Sequence, residues 1–363
     1  MIFGGCEMSG IRFVVKKQVA TFINPLKDYQ LDRQEIEVRF DPLLGHQSVF
    51  NPDLKDKVSI LFPETDKKYL ADVVEATRPK CFLCDGRWKE TTPRYPEELI
   101  PGGRLIKNET VLFPNLFPLF GYHAVIMLGN KHYRRLDDFP VSLLCDAIGI
   151  CIEFIHKCFK ADPGARYFTI NANYLFPAGS SVIHPHLQLI GGSLPTTFQE
   201  QLIHHSRKYF EKNGSIYWKD LIAVEKNLRQ RWIGEIMDSC WISSFSPLGQ
   251  NEVQAIWPDK KHFLEWNDND VESAAIGISG VLKTYYEMKC STFNFSIFSG
   301  ALDGFDYGMR SMMRIITRQN VVPDHRTDDY YFQKLLKNEI ILLPPEELSQ
   351  KVKENLDNCL KSQ

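Results

Sequence analysis

Between Asn173 and Gln188 the chain reads Asn-Tyr-Leu-Phe-Pro-Ala-Gly-Ser-Ser-Val-Ile-His-Pro-His-Leu-Gln, which sets two imidazoles, amides and a hydroxyl along one short extended run. Residues two apart in a strand face the same way, so His184, His186 and Gln188 can address one ligand while Pro185, Leu187 and Leu189 face the other side. A neutral imidazole can attack phosphorus and leave again. An amide and a hydroxyl can donate to phosphate oxygens without being consumed. The segment therefore reads as a phosphate-handling site, with Gln188 and Ser181 as the natural donors. Pro185 has no N–H to give a ladder, which places it at an edge or a strand start.

Taken alone, a His-x-His is more often a pair of surface histidines near a turn. A second motif, Cys81-Phe-Leu-Cys84, shifts that balance. In a chain of reduced-compartment character a CxxC pair points to a metal or redox site rather than a structural disulfide. It supplies half of a tetrahedral metal site, and two more nitrogen or sulfur ligands would close it. The histidines between the CxxC and the end of the His-Pro-His run are His123, His132, His156, His184 and His186. His156 lies within Leu143, Leu144, Ala147, Ile148, Cys151, Ile152, Ile155, Cys158 and Phe159, an apolar stripe at helical spacing, and reads as a helix-flank residue. His132 follows the apolar run Tyr122–Leu128 through Gly-Asn-Lys, a loop edge that can meet another strand end.

Together, the CxxC, a strand-end histidine and Asn-x10-His-Pro-His-x-Gln resemble the galactose-1-phosphate uridylyltransferase family of the histidine-triad superfamily. The likeness covers most of the chain. Arg39-Phe-Asp-Pro-Leu-Leu-Gly45 resembles that family's opening motif, Phe113-Pro-Asn115 its nucleotide-binding turn, and Pro344-Pro-Glu-Glu-Leu its C-terminal segment. The resemblance implies a structural zinc ion on Cys81, Cys84, His132 and His184, with His186 left metal-free as nucleophile. It also implies roles for Ser181, Asn173 and Asn115 near the substrate, and a homodimer. A closed four-ligand zinc has no open position and acts as a clamp, which is consistent with that division of labour.

The elements that must position these groups show an internal duplication. Ala124-Val-Ile-Met-Leu-Gly-Asn-Lys-His132 can be set beside Val253-Gln-Ala-Ile-Trp-Pro-Asp-Lys-Lys-His262, and each run is followed by a helix and then a strand. The second helix carries Val271, Ala274, Ala275, Ile278, Val281, Leu282 and Tyr285, and the two strands are Tyr167–Ala172 and Thr292–Phe298. The expected fold class is α+β, with two histidine-triad-like half-barrels of antiparallel sheet and packed helices. Residues 1–200 would hold the catalytic unit and 201–363 a second unit without its own His-x-His. In that second unit Arg310, Arg314 and Arg318 share one strand face and could bind a polyphosphate or sugar phosphate, or else charge an exposed edge. The family's second metal-binding pair falls here on Met313 and Ile315, which speaks against a second metal.

Composition bounds the partners. A 363-residue chain is long enough for about two domains. A formal charge of −2 gives no reason to expect nucleic acid. No run of ~18 apolar residues and no signal-peptide pattern suggests a membrane or export. Nine cysteines, several in apolar stretches such as Cys145, Cys151 and Cys158, read as buried thiols of a reducing compartment, the cytoplasm. His204-His205 and Glu346-Glu347 read as solvated helix residues.

Where the chain departs from the family pattern, the departures concern substrate. Leu116 stands where the ribose-contacting acid is expected and Leu54 where a basic residue is expected. The expected function is a nucleotidyltransferase that moves an NMP group from a nucleoside diphosphate sugar or similar donor, through a covalent nucleotidyl-His186, to a sugar-phosphate-type acceptor. One alternative is a phosphorylase that uses inorganic phosphate. The other is a nucleotide-binding protein without chemistry.

Overall fold

The computed structural model describes residues 10–324 and 326–361. In chain order its main elements begin with strands β1 (Val14–Asn24), β2 (Gln30–Phe40) and β3 (Gln47–Phe50), then helix α1 (Lys67–Thr77). Strands β4 (Leu105–Lys107), β5 (Thr110–Pro114) and β6 (Tyr122–Leu128) lead to helix α2 (Val141–Ala161), then β7 (Tyr167–Tyr174) and β8 (His186–Gly192). Helices α3 (Thr197–Asn213) and α4 (Tyr217–Leu228) connect to β9 (Trp232–Ile236), β10 (Ser239–Ser243) and β11 (Gln250–Trp257). Helix α5 (Asp268–Glu287), strands β12 (Phe293–Phe298), β13 (Ser311–Thr317) and β14 (Asn338–Ile341), and helix α6 (Pro345–Lys361) complete the chain.

A single sheet runs β4-β5-β6-β8-β7-β12-β13-β11-β10-β9, with antiparallel pairing throughout. Its order shows the duplication directly. The first unit, β5-β6-α2-β7-β8, lies in the sheet as β5-β6-β8-β7, and the second, β10-β11-α5-β12-β13, as β10-β11-β13-β12. The two half-barrels meet edge to edge at β7 and β12, where Asn173 pairs with Asn294 and Asn171 with Ser296. The duplicated α+β architecture expected from the repeat is the one the chain adopts. Residue 200, the expected division, lies inside α3, and the two units share one sheet. The outer limits of the divided units, residues 1 and 363, lie outside the described residues.

Alternation decides which side chains of this sheet face the main core. Leu187 and Leu189 of β8, Ile170 and Ala172 of β7, and Ile126 of β6 join the main apolar core. The core is closed by α2 and α5, which pack on each other, and by α6 against α5. Helix α2 buries Leu144, Ala147, Ile148, Cys151, Ile155 and Cys158 on one side, the spacing of an amphipathic helix. His156 is exposed on its flank. A capping box between Asn267 and Asp270 starts α5 by satisfying orphan backbone donors. The residues between the core positions fall on the opposite face: Gln188 pairs with Asn171, Asn171 with Ser296, Ser296 with Arg314 and Arg314 with Gln254. A polar row thus crosses five neighbouring strands, with His186 one step along β8.

A smaller sheet, β1-β2-β3-β14, is antiparallel except for the parallel β3–β14 pair, and ties the first described strands to the last. The start of α6 reinforces that tie. Glu346, expected to be solvated, instead accepts from Arg39 Nη1 at 2.9 Å and from Arg231 Nη1 at 3.1 Å. Two guanidinium groups from distant parts of the chain converge on it, and they lower its pKa despite the opposing effect of burial. Sequence spacing carries no sign of such a long-range cluster.

Candidate active site and metal centre

Cys81, Cys84, His132 and His184 come together from three separate elements, all four buried, with one ligand atom from each lying within 4.8 Å of the others. The CxxC is a tight turn in which the Cys84 N–H donates to the Cys81 carbonyl at 3.3 Å, and Asp85 (φ 55°) and Gly86 (φ 76°) take left-handed backbone just after it. His132 comes from the loop after β6. His184 sits just before β8, where the Pro185 carbonyl accepts from the N–H of Leu128 at 2.9 Å and holds the two strand ends together. Cys84 Sγ lies 3.2 Å from His132 Nδ1 and 3.3 Å from His184 Nδ1, and Cys81 Sγ lies 3.8 Å from His184 Nδ1. Zinc–sulfur and zinc–nitrogen bonds of about 2.3 and 2.0–2.1 Å in a tetrahedron require an S···N edge of about 3.6 Å, so these distances suit such an ion.

The surroundings prepare the donors. The His184 Nε2–H donates to the carbonyl of Gly129 at 2.9 Å, and the His132 Nε2–H points to Thr77 Oγ1 at 3.0 Å, so both rings turn an Nδ1 lone pair inward. Thr77 passes its own proton to the Val73 carbonyl at 2.7 Å. Outer partners of this kind fix tautomer and ring orientation in metal sites. Burial lowers the pKa of His132, and that of His184 to about 4, which keeps both rings neutral. Burial, and then the neighbouring Cys81 thiol, push Cys84 up to about 12. A divalent cation would supply the charge that makes the Cys84 thiol a thiolate. The four residues could hold a metal ion.

His186 opens β8 and stands on the polar face. Its Nδ1–H donates to the backbone carbonyl of His184 at 2.9 Å, which leaves Nε2 as the lone-pair nitrogen. Burial holds its pKa below the ordinary imidazole value. Such a ring can act as a nucleophile at phosphorus, since the remaining proton is already placed on the nitrogen that will not react. Gln188 lies two residues on, its Oε1 2.9 Å from His123 Nε2. By sequence position alone His123 is one of the candidate metal ligands. The register shows otherwise: His123, Val125 and Met127 alternate along β6, with Val125 opposite Gln188 and Met127 opposite His186.

The remaining predicted site residues divide. Asn173 Oδ1 accepts from Asn294 Nδ2 at 2.7 Å, across the junction of the two units. Ser181 is exposed in the loop before His184, whereas the adjacent Ser180 is buried and donates to the Val182 carbonyl at 2.6 Å. Asn115 Oδ1 accepts from the Phe117 N–H at 2.9 Å and shapes the loop after β5.

The three arginines do not form a free anion-binding row. Arg310 donates to the carbonyls of Pro258, Tyr307 and Met309. Arg314 is buried against Glu252 at 2.6 Å and Asp41 at 3.8 Å. Arg318 forms a fork with Asp328 at 2.8 and 2.7 Å and reaches Asn294 at 2.7 Å. Each had a plausible open face in sequence, but each is committed to protein acceptors. Register also corrects the second-unit pair. Setting Val125 opposite Gln188 beside Gln254 opposite Arg314 makes Met312 and Arg314 the counterparts of His186 and Gln188, while Met313 and Ile315 point into the apolar core. A cleft of about 170 Å³ lies beyond that strand, lined by Gln250, Arg318, Asp328, Tyr330, Gln333 and Glu339 among others. It does not include His186.

The site and the sheet together define a duplicated α+β half-barrel, with a His-x-His at the start of a central strand and a Cys2His2 cluster behind it. Within that class the chain has the fold of the GalT-like proteins. A GalT-like protein of Arabidopsis thaliana superposes with a TM-score of 0.66 at 17% identity, over 88% of this chain and 98% of the other. An ADP-glucose phosphorylase from the same plant, with ADP-glucose bound, gives 0.65 at 17% identity, over 88% and 99%. A uridylyltransferase gives 0.62 at 17% identity, over 89% and 99%. In sequence, an uncharacterised protein of Archaeoglobus fulgidus is 28% identical over 325 residues, 90% of this chain and 94% of its own. No protein-family model matches the chain. No helix among the described residues is long and apolar enough to cross a membrane.

Proposed function

We propose that the chain is a nucleotidyltransferase that moves an NMP group from a nucleoside diphosphate sugar, or a similar donor, to a phosphorylated acceptor by double displacement through His186. The observation that carries this reading is the bond from His186 Nδ1–H to the His184 carbonyl, 2.9 Å long. It leaves Nε2 as the attacking atom. Nε2 forms a bond to the α-phosphorus, the bond from that phosphorus to the bridging oxygen breaks, and the sugar 1-phosphate leaves with the electron pair. The imidazole then carries positive charge, which the carbonyl of His184 stabilises through Nδ1–H. An acceptor phosphate oxygen attacks the same phosphorus, the P–N bond breaks, and neutral His186 returns. Gln188, and Ser181 if its loop folds over the ligand, would donate to the phosphate oxygens, with Asn173 and Asn115 bordering them.

Cys81, Cys84, His132 and His184 would hold zinc as a closed structural ion that fixes the strand start on which His186 sits. A donor of the nucleoside diphosphate sugar class is supported by the ADP-glucose bound to a protein of this fold. A homodimer in the cytoplasm belongs to the same reading.

A specific observation favours a second reading, in which inorganic phosphate is the acceptor. Arg310, Arg314 and Arg318 are bonded to protein oxygens, so these three do not offer a row of free guanidinium groups to a larger anion. The test is intact-protein mass spectrometry after brief mixing with UDP-, ADP-, GDP- and CDP-sugars and dinucleoside polyphosphates, followed by a chase with phosphate or a sugar phosphate. A gain of one NMP in wild type, absent in His186→Asn, supports the proposal and names the base. The chase that removes it names the acceptor. No gain with any donor in metal-loaded protein overturns it in favour of a nucleotide-binding protein without chemistry.

A further inference from the structure

We infer that His123 is a positioning residue that fixes which end of the Gln188 amide faces the reacting phosphate. The inference rests on the reading of His186 as a nucleophile and extends it to a residue behind the site.

The orientation of an amide is ordinarily ambiguous, since its oxygen and nitrogen look alike. Here a chain of hydrogen bonds removes the ambiguity. The N–H of Leu119 lies 3.1 Å from His123 Nδ1, and a backbone N–H can only donate. Nδ1 is therefore the acceptor nitrogen of that ring, and Nε2 carries the proton. Nε2 lies 2.9 Å from Gln188 Oε1, which must accept. The Gln188 NH2 group is then the end left to donate on the polar face that His186 shares.

Asn115 does not share this bond: its Oδ1 is taken by the Phe117 N–H, so its Nδ2, 3.2 Å from His123 Nε2, faces the Nε2–H donor to donor, a longer contact than the Leu119 and Gln188 bonds that set the tautomer. The opposite tautomer would set an N–H on Nδ1 against the N–H of Leu119. His123 is also held in place: it is 4% exposed, and its carbonyl accepts from the Asn115 N–H at 2.8 Å and from the Tyr95 hydroxyl at 3.2 Å. If Gln188 were free to turn, half of its orientations would aim a carbonyl oxygen at a phosphate, where it repels. The bond to His123 removes that half and supplies an oriented donor in advance of the reaction, the property that makes such donors effective.

The experiment is a double-mutant cycle on the rate of NMP transfer to the protein in single turnover, with a donor that labels wild type. Gln188→Ala is expected to slow transfer by roughly 100-fold, as loss of one preorganised donor does. His123→Leu, which cannot donate, is expected to slow it at least tenfold, and His123→Gln, which keeps a donor at the same depth, to recover most of that loss. The double variant His123→Leu with Gln188→Ala should be no slower than Gln188→Ala alone, because His123 acts only through Gln188. Multiplying effects in the double variant, or wild-type rates in His123→Leu, overturn the inference.

Nitrogen-15 NMR of the histidine rings tests the geometry without activity. A proton on Nε2 of His123, with a shift that moves in Gln188→Ala, is the expected result, and a proton on Nδ1 overturns it. A wild type that accepts no NMP overturns the functional reading instead, while the ring measurement still decides the hydrogen-bond assignment.

Discussion

His186 donates from Nδ1 to the backbone carbonyl of His184 at 2.9 Å, while His184 turns its own Nδ1 to the sulfur of Cys84 at 3.3 Å. The peptide between the two histidines therefore joins the proposed nucleophile to the Cys2His2 cluster, yet the side chains face different partners. This separation gives the first prediction. His186→Asn keeps every ligand of the cluster, so it should retain metal at the wild-type ratio and unfold within about 1 kcal/mol of wild type, the range of a tolerated substitution, while nucleotidylation falls below detection. Metal analysis and denaturant melts on the same sample check it. Loss of metal in His186→Asn would mean that the two histidines are not divided in this way.

The complementary variants act on the cluster. Cys84→Ser and His132→Ala each remove a ligand atom that lies within 4.8 Å of the other three. Binding of a structural zinc ion contributes folding free energy outright. Both variants should bind metal at least tenfold more weakly and unfold at lower denaturant than wild type by several kcal/mol, and a strong chelator should bring wild type down to the same level. Titration with a competing zinc indicator measures the affinity. Metal-loaded and chelated wild type melting together would show that the cluster is not a structural metal site.

Much of this site is legible in sequence, because period-two alternation and the CxxC spacing are local signals. The same-face placement of His186 and Gln188 follows from strand geometry, whereas His184, expected on that face too, lies before β8 and turns to Cys84 instead; the α2 stripe from Leu143 to Phe159 matches its observed helix. What the sequence does not carry is register between distant strands. His123 can be assigned to Gln188 only once Val125 is known to lie opposite it. The same holds for Arg314, whose partners Glu252 and Asp41 come from 62 residues upstream and from the small-sheet region. Glu346 is a further case, since nothing near it in sequence announces Arg39 or Arg231.

Glu339 sets a dependence of stability on pH. It is 7% exposed, and burial raises its carboxyl from the ordinary 4.5 to about 7, against the opposing effects of the Ile340 N–H and the Gln333 amide. A folded value above the unfolded one means that the folded state holds the extra proton. The associated stability is complete below about pH 4.5 and is lost as pH rises through about 7. Glu339→Gln cannot ionise, so it should flatten this slope and, at pH 8, be more stable than wild type by on the order of 2–3 kcal/mol. Urea midpoints at pH 5 and pH 8 read the effect. Identical pH slopes in the two proteins would show that Glu339 does not titrate in this range.

Arg314 distinguishes a substrate contact from a structural ion pair. Its guanidinium lies 2.6 Å from Glu252 Oε1 and 3.8 Å from Asp41 Oδ2, with side-chain exposures of 9%, 0% and 6% respectively. Removing one partner of a buried ionic group leaves the others uncompensated, at a cost of about 3–5 kcal/mol. Arg314→Met should therefore be destabilised by that order, whereas a fully folded sample at low temperature should take NMP from the donor with an affinity within about threefold of wild type, which corresponds to less than 1 kcal/mol. If Arg314 instead held the phosphates of a bound nucleotide, donor affinity would fall by tenfold or more with little change in the urea midpoint. The two outcomes move different observables, so equilibrium unfolding and donor binding measured on one preparation decide between them.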